Sequence, residues 1–171
     1  MRFFTLLLIF ISLRAVGQEI KVEYDKKHDL SHYRTFSFGE SKVVTSSEDK
    51  EVSDATISMW IRKGVKRELE YKGLTAVDSA ADLIITYAMF ASPRLDIQPI
   101  GPAGMTPGSN DRTWTRNYTS TTLVIDMNNK SNFLVWRINA TADVMGASTE
   151  RTVDQIVVRG FKKFSRVPKK K

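Results

Sequence analysis

Two histidines and two aspartates near the amino terminus are of the residue types that bind divalent metals. They form the pattern Asp-x-x-His-Asp-x-x-His at Asp25, His28, Asp29 and His32, and the chain has no other histidine. On a helix, this spacing would bring the side chains close enough to hold a divalent metal ion. The flanking residues alternate as strands do, which predicts a turn in which the two acids accept backbone N–H groups. We therefore expect no metal site and no cofactor.

Three aspartates, Asp82, Asp126 and Asp143, lie in or beside predicted strands, where carboxylates are disfavoured. Two of them, if they converged, would make the general acid/base pair of a hydrolase. Alternation instead places Asp126 and Asp143 on the solvent face, where solubility or an ion pair with Arg137 explains them. The chain shows no Ser-His-Asp order with a nucleophile elbow, no phosphate-binding glycine loop and no zinc motif. We expect no catalytic activity and keep a hydrolase as an alternative.

Residues 91–120 hold four of the five prolines and have no sustained period, which predicts a long loop. The loop is more apolar than a plain linker needs, so it is a candidate binding segment, although packing over the sheet is an equal interpretation. The candidate binding residues are Ile97, Ile100, Met105, Trp114 and Tyr118. Trp136, by contrast, belongs to the inward-facing row of its predicted strand and is expected to lie in the core.

The first 17 residues have the pattern of a signal peptide. Arg2 precedes an apolar and hydroxyl run of 11 residues, and small side chains at Ala15 and Gly17 fit signal peptidase, which predicts a mature start at Gln18. The run is too short to cross a membrane as a helix. Because the chain contains no cysteine, we expect an exported protein of the periplasm or cell envelope without a lipid anchor on cysteine.

The net charge of the whole chain is +7, and part of it lies in a basic tail. Lys169, Lys170 and Lys171 end the chain and could contact anionic lipid or cell-wall polymers, with a solvated tail as the simpler interpretation. Export argues against nucleic acid as a partner.

The remaining residues, 18–171, predict a single domain with two helices and about five strands. The first helix starts at Ser53 or Asp54 and ends at Gly73, and the second begins near Ser148 or Thr149 and ends before Pro168. Strands are predicted at 19–25, 33–38, 82–90, 123–128 and 134–144. One apolar face on most elements favours a two-layer α+β fold in which a mostly antiparallel sheet packs against the two helices.

Several ordered segments resemble domain of unknown function 4136, a family of bacterial envelope proteins that are often lipoproteins. The segments are Val22-Glu23-Tyr24-Asp25, Asp29 to Phe36, Lys72-Gly73-Leu74, Ala81 to Ile85, Thr122 to Asp126, Leu134 to Arg137 and Gly160 to Phe164. The resemblance implies an exported envelope protein with no established catalytic residues. It also implies a lipoprotein cysteine, which this chain lacks.

The sequence therefore predicts an exported, non-catalytic envelope protein of uncharacterised function that works as an interaction module. Its partner would be another envelope protein or a cell-wall component, and no transmembrane span is expected after the signal peptide. A carrier that binds a small ligand or lipid between helices and sheet is the second hypothesis, and a hydrolase is the third.

Overall fold

The computed structural model describes residues 19–45, 52–99, 113–143 and 149–165. Within these residues, seven strands form one mixed sheet, and two helices cover one of its faces. The predicted signal peptide, the basic tail at 169–171 and the loop candidates Ile100 and Met105 lie outside the described residues. The elements in chain order are β1 (Glu19–Glu23), β2 (Thr35–Phe38), β3 (Lys42–Val44), α1 (Asp54–Tyr71), β4 (Thr75–Ala76), β5 (Leu83–Pro99), β6 (Thr113–Asn129), β7 (Leu134–Asp143) and α2 (Thr149–Phe161).

The sheet has the strand order β1-β7-β6-β5-β2-β4, with β3 also paired to β5. Strands β1, β7, β6 and β5 are antiparallel neighbours, whereas β2 and β3 pair with β5 in parallel and β4 pairs with β2 in parallel. The predicted α+β class is confirmed, but a mostly antiparallel sheet of about five strands was wrong. Parallel pairing needs a long crossover connection, and α1 supplies it between β3 and β4. Strand β3 was missed because three residues carry too short a pattern.

Helix α1 begins and ends where the sequence predicts. The Ser53 hydroxyl accepts the Thr56 N–H at 3.1 Å, which caps the amino terminus. At the other end, Gly73 has a φ of 83°, and its N–H donates to the Glu70 carbonyl at 2.9 Å. The Leu74 N–H donates to the Leu69 carbonyl at 3.0 Å, which completes a Schellman motif and turns the chain towards β4.

The core lies between the helices and one face of the sheet, and Trp136 is the largest fully buried side chain among the described residues. Its ring stacks on Tyr24 with centroids 4.2 Å apart and meets the edge of Phe164 at 5.4 Å. The indole N–H donates to the Gly160 carbonyl at 3.3 Å, so its polar atom is satisfied. The predicted core position of Trp136 is confirmed.

Strands β5 and β6 are much longer than the sequence predicts. Each spans 17 residues, and the two pair in register from Leu83 opposite Asn129 to Pro99 opposite Thr113. The predicted loop at 91–120 is therefore wrong for residues 91–99 and 113–120, which are strand. Prolines had argued against a strand, but a proline is tolerated on a strand edge. Beyond Phe90, no other described strand pairs with β5.

We name residues 93–99 and 113–119 the ribbon arm, because they pair only with each other among the described residues. The neighbouring strand β7 pairs with β6 from Ser120 onward. Seven residues on each strand, at about 3.4 Å each, give the arm a length of about 24 Å.

Candidate functional site

The two histidines lie in the turns between β1 and β2, as the sequence predicts. Asp25 accepts the Lys27 N–H at 2.8 Å, and Asp29 accepts the backbone N–H and hydroxyl of Ser31, each at 2.9 Å. The hydrogen bond from the Ser31 N–H lowers the pKa of Asp29. These carboxylates therefore shape the turns.

The histidine rings join an aromatic cluster beside the same turns. His28 Nε2 lies 2.8 Å from the Tyr33 hydroxyl, and the His28 ring centroid is 6.0 Å from that of His32 and 5.3 Å from that of Phe133. Among the described residues, no three His, Asp, Glu or Cys side chains come together as a metal site would require.

The three candidate catalytic aspartates are spread along the sheet. Asp126 lies opposite Thr86, four residues along the chain from Asp82, and the backbone of Asp143 lies opposite Ser120. At about 3.4 Å per residue, Asp126 lies on the order of 13 Å from Asp82, and Asp143 lies on the order of 20 Å from Asp126. Carboxylate pairs that hydrolyse glycosides lie about 5 to 9.5 Å apart, so the sheet does not bring these residues together.

Asp126 and Asp82 each hold structural partners. Arg137 Nε and Nη2 donate to the two carboxylate oxygens of Asp126 at 2.7 and 2.6 Å, so the ion pair, one of the two explanations left open for Asp126, is present. One oxygen of Asp82 accepts the N–H groups of Arg34 and Thr35, at 2.9 and 3.1 Å. These hydrogen bonds, chiefly the one from Arg34, lower the pKa of Asp82 to about 2.

A cleft of about 670 Å³ lies between α1 and the β2–β4 edge of the sheet. We name it the α1 cleft. Its sheet side is mainly apolar and consists of Phe36, Phe38, Ala76 and Val77. Its helix side carries three cations and one large exposed apolar side chain, namely Arg62, Lys63, Lys66 and Met59.

Sequence reasoning missed this cleft. The cations recur at helical spacing on the polar side of α1, which typically indicates only a solvated face. What distinguishes Arg62 is the Phe38 ring beneath it, with the guanidinium carbon 4.3 Å from the ring centroid. That contact depends on how α1 packs over β2, which no local pattern shows.

The ribbon arm contains three of the five predicted binding residues. Ile97 lies in the arm on β5, and Trp114 and Tyr118 lie on β6. Trp114 is the Cα partner of Gln98, and Tyr118 is the partner of Arg94. The backbone therefore places these three residues on one paired ribbon instead of a loop.

Comparison with known proteins identifies the family. The model of domain of unknown function DUF4136 matches residues 20–164, which is most of the chain. The chain belongs to the DUF4136 family. No curated protein matches this DUF4136 chain.

The fold is shared with at least two solved structures. A DUF4136 family protein from Bacteroides thetaiotaomicron VPI-5482 has a TM-score of 0.51 and 18% identity, with 85% of this chain and 95% of that chain covered. A PDZ domain protein from Parabacteroides distasonis ATCC 8503 has a TM-score of 0.53 and 12% identity, with 91% of this chain covered. The DUF4136 chain spans 37% of that second protein's length.

The residues that carried the resemblance to DUF4136 hold the fold together. Tyr24 stacks on Trp136, Asp82 binds the start of β2, and Gly73 ends α1. No described helix of this DUF4136 protein is both long and apolar enough to cross a membrane.

Proposed function

We propose that this DUF4136 protein is an exported, non-catalytic envelope component that binds a partner protein through its ribbon arm. Export is supported by the leader pattern before Gln18. A non-catalytic role is supported by the separation of the candidate aspartates along the sheet and by the structural partners of Asp82 and Asp126.

The observation that carries the proposal is the isolation of the ribbon arm from the other strands. Both outer edges of the arm lack a strand partner among the described residues. A two-stranded ribbon is marginally stable in water on its own, and unpaired edges offer N–H and C=O groups to another chain. A partner that adds a strand to an edge would satisfy those groups and stabilise the arm.

The partner that we propose for the ribbon arm is another envelope protein. A strand edge recognises a polypeptide backbone, which a protein supplies and a polysaccharide does not. If removal of the arm changes no protein neighbour, binding of a cell-wall component through another surface is the interpretation that remains.

Crosslinking in the native envelope, followed by mass spectrometry, tests the proposal. The variant lacks residues 95–117 and joins Arg94 to Tyr118 through an Asn-Gly turn, which suits two paired strand positions. The proposal expects a protein neighbour to disappear in this variant and to remain with Lys27→Gln, an exposed substitution outside the arm. If both variants keep the same neighbours, the arm is not the binding element.

Export has its own measurement. The mature protein, recovered from the envelope fraction, is expected to begin at Gln18 by intact mass. A chain that keeps Met1 and remains in the cytoplasm would overturn the envelope role.

The alternative of a small-ligand or lipid carrier is favoured by one observation, the α1 cleft. Most of the space between the layers is filled by the core, and the cleft lies at the margin of α1. It does not involve the ribbon arm, so the two sites can be tested separately.

A further inference from the structure

The helix wall of the α1 cleft has positive charge that few neighbours compensate. Lys66 pairs with Glu70 across 3.8 Å, and both side chains are about half exposed. Neither Arg62 nor Lys63 has an ion pair with another described residue. Among the described residues that line the cleft, Asp78 is the single acid. The wall is therefore complementary to an anionic group.

Arg62 is held in a geometry that suits anion binding. Its guanidinium carbon lies over the Phe38 ring, 4.3 Å from the centroid, in a cation–π contact. A guanidinium that contacts a ring keeps N–H donors, two of which can bind a carboxylate or phosphate together. The contact also restricts the side chain before a ligand arrives, which reduces the entropy lost on binding.

The opposite side of the cleft offers apolar surface. Phe36 is fully buried at the base, and Phe38, Ala76 and Val77 are partly buried. Across from them, the Met59 side chain is 56% exposed. Met is flexible and adapts to irregular apolar ligands. A purely ionic ligand would leave this surface in water.

We propose that the α1 cleft binds a single-chain amphiphile with an anionic head group. The head, a carboxylate or a phosphate, binds Arg62, Lys63 and Lys66. The apolar chain lies between Met59 and the Phe38 side of the cleft. The volume of about 670 Å³ falls within the range of small-molecule sites.

Calorimetry on the mature protein tests the charge of the ligand's head group and the ligand's apolar chain separately. The probes are dodecanoate and dodecyl phosphate below their micelle concentrations, dodecyl maltoside as an uncharged chain, and acetate and inorganic phosphate as head groups alone. The proposal expects at least one anionic amphiphile to bind ten-fold or more tighter than its isolated head group and than dodecyl maltoside. The tighter of the two amphiphiles identifies the head group.

Variants locate the site. The double substitution Arg62→Gln and Lys66→Gln is expected to weaken amphiphile binding ten-fold or more, and Met59→Ser to weaken it about three-fold. These substitutions alter exposed side chains and should not disturb folding, which circular dichroism checks. Lys27→Gln, which removes a lysine elsewhere, is expected to leave the affinity unchanged.

Three results would overturn the proposal. They are no heat with any amphiphile, equal affinity for dodecyl maltoside and the anionic amphiphiles, and wild-type affinity in the Arg62→Gln, Lys66→Gln protein. The variant lacking residues 95–117 is expected to bind as the wild type does, because no arm residue lines the cleft. If amphiphile binding to the α1 cleft is not found, the envelope crosslinks are unaffected. This failure is therefore distinguishable from failure of the ribbon-arm proposal.

Discussion

Gly160 of α2 lies against Ile138 of β7 so closely that a Cβ on the glycine would overlap the isoleucine side chain. The Gly160 carbonyl also accepts the Trp136 indole N–H. Both contacts tie α2 to the sheet at one point. The small residue thus sets how near the helix layer approaches β7.

Replacement of Gly160 by alanine is expected to destabilise the protein by about 1 to 3 kcal/mol, because the added methyl group must displace Ile138 or the helix. Urea unfolding, followed by circular dichroism, gives the free energy. The packing cost of the added methyl group should exceed the stabilisation of about 1 kcal/mol that replacing glycine by alanine normally gives a helix.

Gly64 of α1 gives the matched control. A Cβ there would lie 3.6 Å from the Val157 side chain of α2, which is ordinary van der Waals contact. Gly64→Ala is therefore expected to stabilise the protein by about 0.4 to 1 kcal/mol. If Gly160→Ala raises the urea midpoint as Gly64→Ala is expected to do, the close approach at Gly160 does not limit packing.

Asp126 and Arg137 should be coupled in energy, because two hydrogen bonds join them on adjacent strands. The hydrogen bond to Asp126 raises the pKa of Arg137. The pair is partly exposed, with side chains 21% and 38% accessible. A double-mutant cycle with Asp126→Ala and Arg137→Ala is expected to give about 1 kcal/mol of coupling.

The exposed pair of Lys21 and Glu19 serves as the comparison for this cycle. Its atoms are 3.1 Å apart, but both side chains are 68% exposed. Solvent screening should reduce its coupling to about 0 to 0.3 kcal/mol. Equal coupling in the two cycles would contradict a special role for the Asp126 geometry.

Removal of the ribbon arm should leave the sheet intact. In the variant lacking residues 95–117, Leu83 to Phe90 keep their pairing with β6, β2 and β3. We expect the melting temperature to stay within about 4 °C of the wild type, which corresponds to about 1 kcal/mol in a chain of this length. A larger fall would mean that the arm packs on the domain and does not project as a separate ribbon.

The strand and helix patterns predicted much of the fold because they are local. Alternation in β7 and capping residues such as Ser53 and Gly73 act within a few residues, and these features agree with the structure. The Asp126–Arg137 pair followed from the same alternation. Local patterns were also sufficient to place the turns around His28 and His32.

The features of the fold that the sequence did not predict depend on contacts between segments far apart in the chain. The parallel pairing of β2 with β5 joins residues almost 50 positions apart, such as Phe36 and Leu83, and no local pattern encodes it. The ribbon arm was hidden by Pro93 and Pro99, which normally interrupt strands. Gly64 of α1 faces Val157 of α2, and this contact between the two helices also depends on segments far apart in the chain.

Asp82 should make the protein sensitive to acid, since it joins the starts of β2 and β5. Its carboxylate accepts the Arg34 and Thr35 N–H groups, and its own N–H donates to the Thr35 hydroxyl at 2.9 Å. Its pKa is about 2 in the folded protein, against an ordinary value of 3.8. The folded state thus binds fewer protons than the unfolded state between these values, and stability rises with pH there.

The stabilisation from Asp82 is therefore complete above about pH 5 and is lost as the pH falls through about 4 to 2. Because the side chain is 30% exposed, we expect about 1 to 2 kcal/mol after solvent screening. Asp82→Asn should lose this amount at pH 7 and approach the wild type as the pH falls below about 2, as measured by urea unfolding across the range. Asp78→Asn, at an exposed position, should keep the wild-type pH profile. Parallel profiles for wild type and Asp82→Asn would show that the depressed pKa of this carboxyl does not stabilise the fold.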